Sequence, residues 1–122
     1  MEQFPELVFG PIPAMQPVGW GREVKLLAPQ TVRWKGGEIT VPVGFIHDGP
    51  SIPSRLRGIV YYTHRLLRAS IVHDYLYERC FWTRKRCDRF FLESLKADGV
   101  GPLRRNAMWA AVRLGGLHAW AT

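Results

Sequence analysis

The sequence predicts an α+β domain, with a small antiparallel β-sheet in the N-terminal half followed by three α-helices. Up to about residue 43, short runs of β-branched and aromatic residues alternate with polar ones. From Tyr62 onward, apolar residues instead recur at spacings of three and four, which is typical of helices. The 122 residues, of which 47% are hydrophobic, suffice for one core, so residues 1–122 are predicted to form a single domain.

The N-terminal half divides into an arm and a sheet. Residues 1–21 are rich in proline and glycine, which predicts an irregular arm with at most one short strand near residues 7–9. Residues 22–43 hold the sheet, with strands expected over residues 22–28, 31–34 and 38–41. Between the last two, Lys35-Gly36-Gly37 is typical of a hairpin turn, because glycine readily adopts positive φ.

Residues 44–61 are predicted to be a loop pinned to the core. Two glycines and two prolines in residues 43–53 argue against regular structure, yet Phe45 and Ile46 are too apolar for a free loop. Such a loop would hold the polar residues His47, Asp48 and Ser51 in fixed positions. The alternative is a simple turn in which Asp48 bonds its own backbone.

Residues 62–121 are predicted to form the three helices. Thr63 is a candidate cap for the first helix, which ends near Cys80, and Thr83 is expected to cap the second. Gly99 suits the end of the second helix and Pro102 the first turn of the third. The predicted buried face of the third helix comprises Leu103, Ala107, Ala110, Ala111 and Leu114, and its arginines, including Arg113, are expected to lie mostly outside.

The first two helices form a predicted antiparallel hairpin that brings His73 and Asp88 to the same level. Both lie roughly 11 Å from the turn at 1.5 Å per residue. Asp88 can then accept a hydrogen bond from one imidazole nitrogen, which leaves the other nitrogen as a base near neutral pH. Tyr77, four residues after His73, lies on the same face and could support the pair. The alternative is a purely structural pair that fixes the register of the two helices.

Asp74 points about 100° away from His73 around the helix and is a candidate cation ligand. Its carboxylate could bind a hard cation such as Ca²⁺ together with Asp48 and the loop around residues 46–49. The alternative for Asp74 is a cap or an ion pair with Arg68 or Arg79.

The uneven distribution of basic residues limits the kinds of partner that this chain can have. The net charge is +7, and residues 61–122 hold eleven of the seventeen basic residues. A basic half of this kind suits an anionic membrane, an acidic protein or nucleic acid, or is only a solvated surface.

The sequence begins without a signal peptide and holds no apolar run that could span a bilayer, which predicts synthesis in a cytosol. Cys80 and Cys87 are therefore expected to be free, largely buried thiols rather than a disulfide or zinc ligands.

Five sequence pieces resemble the small phage and prophage family catalogued as domain of unknown function 1353. They are V-P-V-G-F at residues 41–45, D-G-P-S-I-P at 48–53, H-D-Y-L-Y at 73–77, C-D-R-F-F at 87–91 and V-R-L-G-G at 112–116. The resemblance implies a phage or prophage origin, hence a place in the host cytoplasm or the virion, but no settled activity. It adds Gly49 and Ser51 as candidate supporting residues. His47 departs from the small residue, often threonine, expected before the aspartate.

A second, local resemblance is to the catalytic helices of secretory phospholipases that cleave the sn-2 ester. It rests on H-D-x-x-Y at residues 73–77 and C-D-R at 87–89. It implies that His73 activates water, Asp74 binds calcium and Asp88 orients His73. The glycine-rich calcium loop and the disulfides of those enzymes have no counterpart in this chain.

Three functions therefore compete at the level of sequence. The first is a phospholipase-like hydrolase acting at a phospholipid surface. The second is a non-enzymatic virion or host-factor-binding phage protein in which the His/Asp cluster is structural. The third, a nucleic-acid binder, is the least favoured because the sequence carries no recognised binding motif.

Overall fold

A computed structural model describes residues 4–19, 23–47 and 64–115, and within these ranges it confirms the α+β prediction. In the described residues, six strands precede three helices. Asp48, Gly49, Ser51 and Thr63 lie outside the described residues. The strands are β1 (Val8–Phe9), β2 (Met15–Pro17), β3 (Val24–Leu26), β4 (Gln30–Trp34), β5 (Gly37–Val41) and β6 (Ile46–His47), and the helices are α1 (His64–Arg79), α2 (Arg84–Ala97) and α3 (Pro102–Gly115).

The described strands form two small antiparallel sheets, with the orders β1-β4-β5 and β2-β3-β6. The β4–β5 hairpin pairs Trp34 with Gly37, which leaves Lys35 and Gly36 as the two turn residues. Gly36 has a φ of 123°, so the predicted need for glycine in this turn is confirmed.

The prediction of a single small sheet with an irregular arm was incomplete. The arm supplies β1 near the expected position but also β2, in which Met15 lies opposite Leu26 of β3. Within the predicted loop, Ile46 and His47 form β6 and pair with the other edge of β3. Both segments are strands because β3 offers backbone partners on each side, which local composition does not reveal.

The helix boundaries follow the predicted caps. The Thr83 hydroxyl accepts a hydrogen bond from the backbone N–H of Arg86 at 3.2 Å, and α2 begins at the next residue after this cap. Gly99 has a φ of 85° just beyond the end of α2, and Pro102 is the first residue of α3.

Helix α1 packs against α2, and α2 packs against α3. Their buried side chains contribute to two apolar clusters. The first cluster joins the sheets to α1 and α2 and includes Leu26, Val32, Val41, Ile71, Leu76 and Phe90. The second lies between α2 and α3 and includes Phe91, Leu95, Val100, Met108 and Val112. His73 and Asp88 lie where α1 and α2 face each other.

The predicted buried face of α3 was wrong for three of its five residues: Leu103 and Leu114 are each 79% exposed and Ala110 is exposed. Ala111 is buried as predicted and Ala107 is half-buried, but the buried face also contains Met108 and Val112. Several stripes of α3 have apolar residues at helical spacing, and only the packing against α2 decides which one turns inward.

Cys80 and Cys87 are not joined in a disulfide, as predicted, but only Cys87 is buried and Cys80 is exposed. Burial raises the pKa of the Cys87 thiol to about 12, which makes it an inert core residue. None of the helices in the described ranges is long and apolar enough to cross a bilayer.

Candidate functional site

The hairpin of α1 and α2 brings together His73 and Asp88, the pair that their distances from the turn predicted. Nε2 of His73 lies 2.8 Å from Oδ1 of Asp88. The Asp88 side chain is fully buried and His73 is 7% exposed. The imidazole ring lies between two aromatic rings, with centroid distances of 4.2 Å to Tyr77 and 4.6 Å to Phe91. These rings and the carboxylate fix the orientation of the imidazole.

Tyr77 donates its hydroxyl hydrogen to the same carboxylate oxygen of Asp88 that contacts His73. It lies one helical turn after His73, so the two side chains leave α1 on one face and meet Asp88 together. Burial, followed by the hydrogen bond to Asp88, raises the pKa of Tyr77, so its hydroxyl stays protonated and acts as a donor.

Arg113 completes the shell around Asp88, a contact that the sequence analysis missed. Its Nη1 lies 2.8 Å from Oδ2 of Asp88, although the sequence placed this residue mostly outside. The Arg113 side chain is one-third exposed whereas the Asp88 side chain is fully buried, so this ion pair lies where the cluster meets solvent. Among the sequence signals, only V-R-L-G-G at residues 112–116 drew attention to this segment.

The three donors keep Asp88 ionised. Burial by itself would raise the pKa of this carboxyl. The hydrogen bonds from His73, Tyr77 and Arg113 outweigh that effect and hold the pKa below its ordinary value. An ionised carboxylate can only accept, so Nε2 of His73 carries the hydrogen and donates it to Asp88.

The same arrangement leaves Nδ1 of His73 with its lone pair. Burial lowers the pKa of His73, and this effect exceeds the opposing influence of Asp88, so the imidazole is neutral near pH 7. Within the described residues no hydrogen bond reaches Nδ1. A neutral, oriented imidazole with one unprotonated nitrogen is chemically competent as a general base.

Asp74 lies apart from this cluster and next to β6. Its Oδ2 is 3.8 Å from Nδ1 of His47, which is buried, and the Asp74 side chain is 22% exposed. Arg68, one of the predicted partners of Asp74, pairs instead with Asp98. The structure therefore connects Asp74 to the sheet through the histidine at which this sequence departs from the expected small residue.

The described neighbours of Asp74 do not by themselves make a calcium site. Calcium takes six to eight oxygen ligands, whereas His47 presents a nitrogen. In the described part of the chain no three His, Cys, Asp or Glu side chains group as metal ligands. The predicted partner Asp48 and the candidate supporting residues Gly49 and Ser51 fall outside that part. Calcium binding by Asp74 and Asp48 therefore remains a prediction.

The comparison with family models decides which family this chain belongs to. Residues 24–112 match the model described as "Protein of unknown function (DUF1353)". The chain is a member of the DUF1353 family. The segment matched by DUF1353 contains His73, Tyr77 and Asp88, and Arg113 follows one residue beyond its end. Neither the curated proteins nor the solved structures include a significant match to this DUF1353 chain.

Proposed function

We propose that this DUF1353 protein is a phospholipase-like ester hydrolase in which His73 activates water as a general base. One observation supports this above all others. The buried, ionised carboxylate of Asp88 takes the Nε2 hydrogen of His73 at 2.8 Å, which directs the lone pair of Nδ1 away from the carboxylate.

The proposed reaction uses water and the ester alone. Nδ1 of His73 removes a proton from water as the water oxygen bonds to the ester carbonyl carbon. The resulting imidazolium is stabilised by the negative charge of Asp88 on its other side. The imidazolium then returns the proton to the leaving alkoxide as the carbon–oxygen bond breaks. The products are a carboxylic acid and an alcohol, and His73 is again neutral.

Two features support phospholipid as the substrate class. The first is the likeness of H-D-x-x-Y and C-D-R to the catalytic helices of secretory phospholipases, in which the histidine and the second aspartate have these roles. The second is the net charge of +7, which favours association with an anionic membrane surface. The five family motifs support a phage or prophage origin and a role in the host cytoplasm or the virion, where host phospholipid would be the target.

The experiment is a hydrolysis assay on vesicles of anionic phospholipid with the purified full chain. We expect His73→Asn and Asp88→Asn to lower the rate by roughly 100- to 10,000-fold, the usual contribution of a general base. Asp98→Asn is the matched control, because Asp98 is a carboxylate of the α2 C-cap that pairs with Arg68. Unchanged hydrolysis in a folded His73→Asn variant would exclude this mechanism.

Calcium enters the same assay as a separate variable. If Asp74 and Asp48 hold the ion, then chelation should lower the rate and Asp74→Asn should raise the calcium concentration needed for half-maximal activity. A rate that does not change with chelator would remove calcium and leave the role of His73 untouched.

A second candidate function is a non-enzymatic virion or host-factor-binding protein in which the cluster is structural. The observation that favours it is the complete burial of the Asp88 side chain, which links α1, α2 and α3 through His73, Tyr77 and Arg113. This alternative expects no hydrolysis by the wild type under any lipid or calcium condition, together with a marked loss of stability in His73→Ala.

A further inference from the structure

We propose that Arg113 is a positioning residue for His73, which holds Oδ2 of Asp88 and so fixes the carboxylate in the orientation that His73 uses. The inference concerns the site of the proposed function. It makes a claim about the state of His73 that can be tested without any substrate.

The donors around Asp88 divide between its two oxygens. Oδ1 accepts from His73 and Tyr77, both on α1, whereas Oδ2 accepts from Arg113 on α3. Rotation of the carboxylate would exchange the two oxygens and misalign the bond to Nε2. Because Arg113 approaches from a different helix, it opposes this rotation in a way that the donors on α1 alone cannot.

Arg84 in turn places the backbone of Arg113. Its Nη2 donates to the carbonyl oxygens of Val112, at 3.2 Å, and of Arg113. These carbonyls belong to the last turn of α3, where helical carbonyls have no partner within the helix. The guanidinium of Arg84, at the start of α2, therefore caps the end of α3 and complements its dipole. Through this cap, α2 determines where the Arg113 side chain begins.

The test is proton NMR of the Nε2–H of His73 in the intact protein near pH 7, comparing the wild type with Arg113→Met and Arg113→Lys. A hydrogen bond to the ionised carboxylate of Asp88 protects this N–H from exchange with water. Methionine has no donor for Oδ2 of Asp88, so we expect Arg113→Met to misalign the bond and the Nε2–H to exchange with water several-fold faster. Lysine keeps a donor, so Arg113→Lys should restore most of the protection. Arg105→Met is the control on the same helix, since Arg105 bonds to the carbonyl of Val100, and it should leave the exchange of the Nε2–H unchanged.

Each outcome decides between positioning and its alternatives. Wild-type protection of the His73 Nε2–H in folded Arg113→Met would overturn the proposal, and so would an equal loss of protection in Arg105→Met. If Arg113→Met does not fold, Arg84→Met decides, because Arg84 places the backbone of Arg113: the exchange should again be faster, and wild-type protection would overturn the proposal. In the hydrolysis assay, Arg113→Met should lower kcat with little change in KM, whereas an increase in KM alone would assign Arg113 to substrate binding instead.

The two proposals fail in different ways. Faster exchange of the His73 Nε2–H in Arg113→Met, without any hydrolysis by the wild type, would keep the positioning role and remove the proposed enzyme. Hydrolysis that depends on His73 but not on Arg113 would keep the proposed enzyme and remove the positioning role of Arg113.

Discussion

His73 and Asp88 are fifteen positions apart in sequence, yet Nε2 of the first lies 2.8 Å from Oδ1 of the second. The contact exists because α1 and α2 run antiparallel with a short connection, so residues at similar distances from the turn lie side by side. It makes Asp88 the centre of a cluster in which three side chains donate to one buried carboxylate.

Removal of the Asp88 carboxylate should strongly destabilise the fold. Asp88→Ala leaves the His73 N–H and the Tyr77 hydroxyl buried without their acceptor, and we expect a loss of about 3 kcal/mol in the free energy of unfolding. Urea denaturation measures this loss. Glu93→Ala is the control, because Glu93 forms a partly exposed i,i+4 ion pair with Arg89 on the same helix, and this substitution should cost less than about 0.5 kcal/mol. A similar small loss in both variants would show that the cluster contributes little.

The Tyr77 hydroxyl should contribute separately. Tyr77→Phe keeps the ring that packs against His73 but removes one of the hydrogen bonds to a charged acceptor, which predicts a loss of about 1.5 kcal/mol. Tyr75→Phe provides the comparison on the same helix, since Tyr75 packs its ring against Phe45, and it should change stability by less than about 0.5 kcal/mol. Equal stability of Tyr77→Phe and wild type would show that the hydrogen bond from Tyr77 to Asp88 contributes nothing to the free energy of unfolding.

The pH dependence of stability should reveal the state of His73. The pKa of His73 is lowered in the folded protein, so the folded state disfavours the imidazolium. The contribution of neutral His73 to the free energy of unfolding is therefore fully present above the unfolded pKa of about 6.5. As the pH falls below that value, only the unfolded state binds the proton, and stability should fall by up to about 1.4 kcal/mol per pH unit until the folded pKa is reached.

His73→Asn isolates this effect from other titrating groups. The difference in unfolding free energy between wild type and variant should shrink as the pH is lowered from 7 to 5, since the variant lacks the titrating imidazole. Asp88 affects stability at lower pH than His73 does. Its pKa is depressed in the folded protein, so its contribution to the free energy of unfolding is present above about pH 4 and is lost only as the pH falls through the folded pKa. A wild-type advantage that grows between pH 7 and 5 would mean that His73 is held protonated instead.

The sequence predicted those parts of the fold and site that depend on local signals. Helix ends were predicted from Thr83, Gly99 and Pro102, because each satisfies a local backbone requirement. That His73 and Asp88 lie side by side was predicted from their similar distances from the turn between α1 and α2. Strand β2 was not predictable in this way, because it depends on pairing with β3.

Arg113 could not be predicted for a related reason. Its reach to Asp88 depends on how α3 is rotated about its own axis, which is set by the packing of Met108 and Val112 against α2. The sequence offered Leu103 and Leu114 as an equally apolar stripe, and both are exposed. The side-chain contacts of the last helix therefore depend on tertiary packing that periodicity does not specify.

The pH dependence of phospholipid hydrolysis tests the central claim most directly. If neutral His73 is the base, then kcat/KM should rise with pH to a half-maximal value below pH 6.5, reach a plateau near neutrality and be lost in folded His73→Asn. Hydrolysis that survives His73→Asn, a rate that falls as His73 loses its proton, or no hydrolysis at all by the wild type would contradict the account.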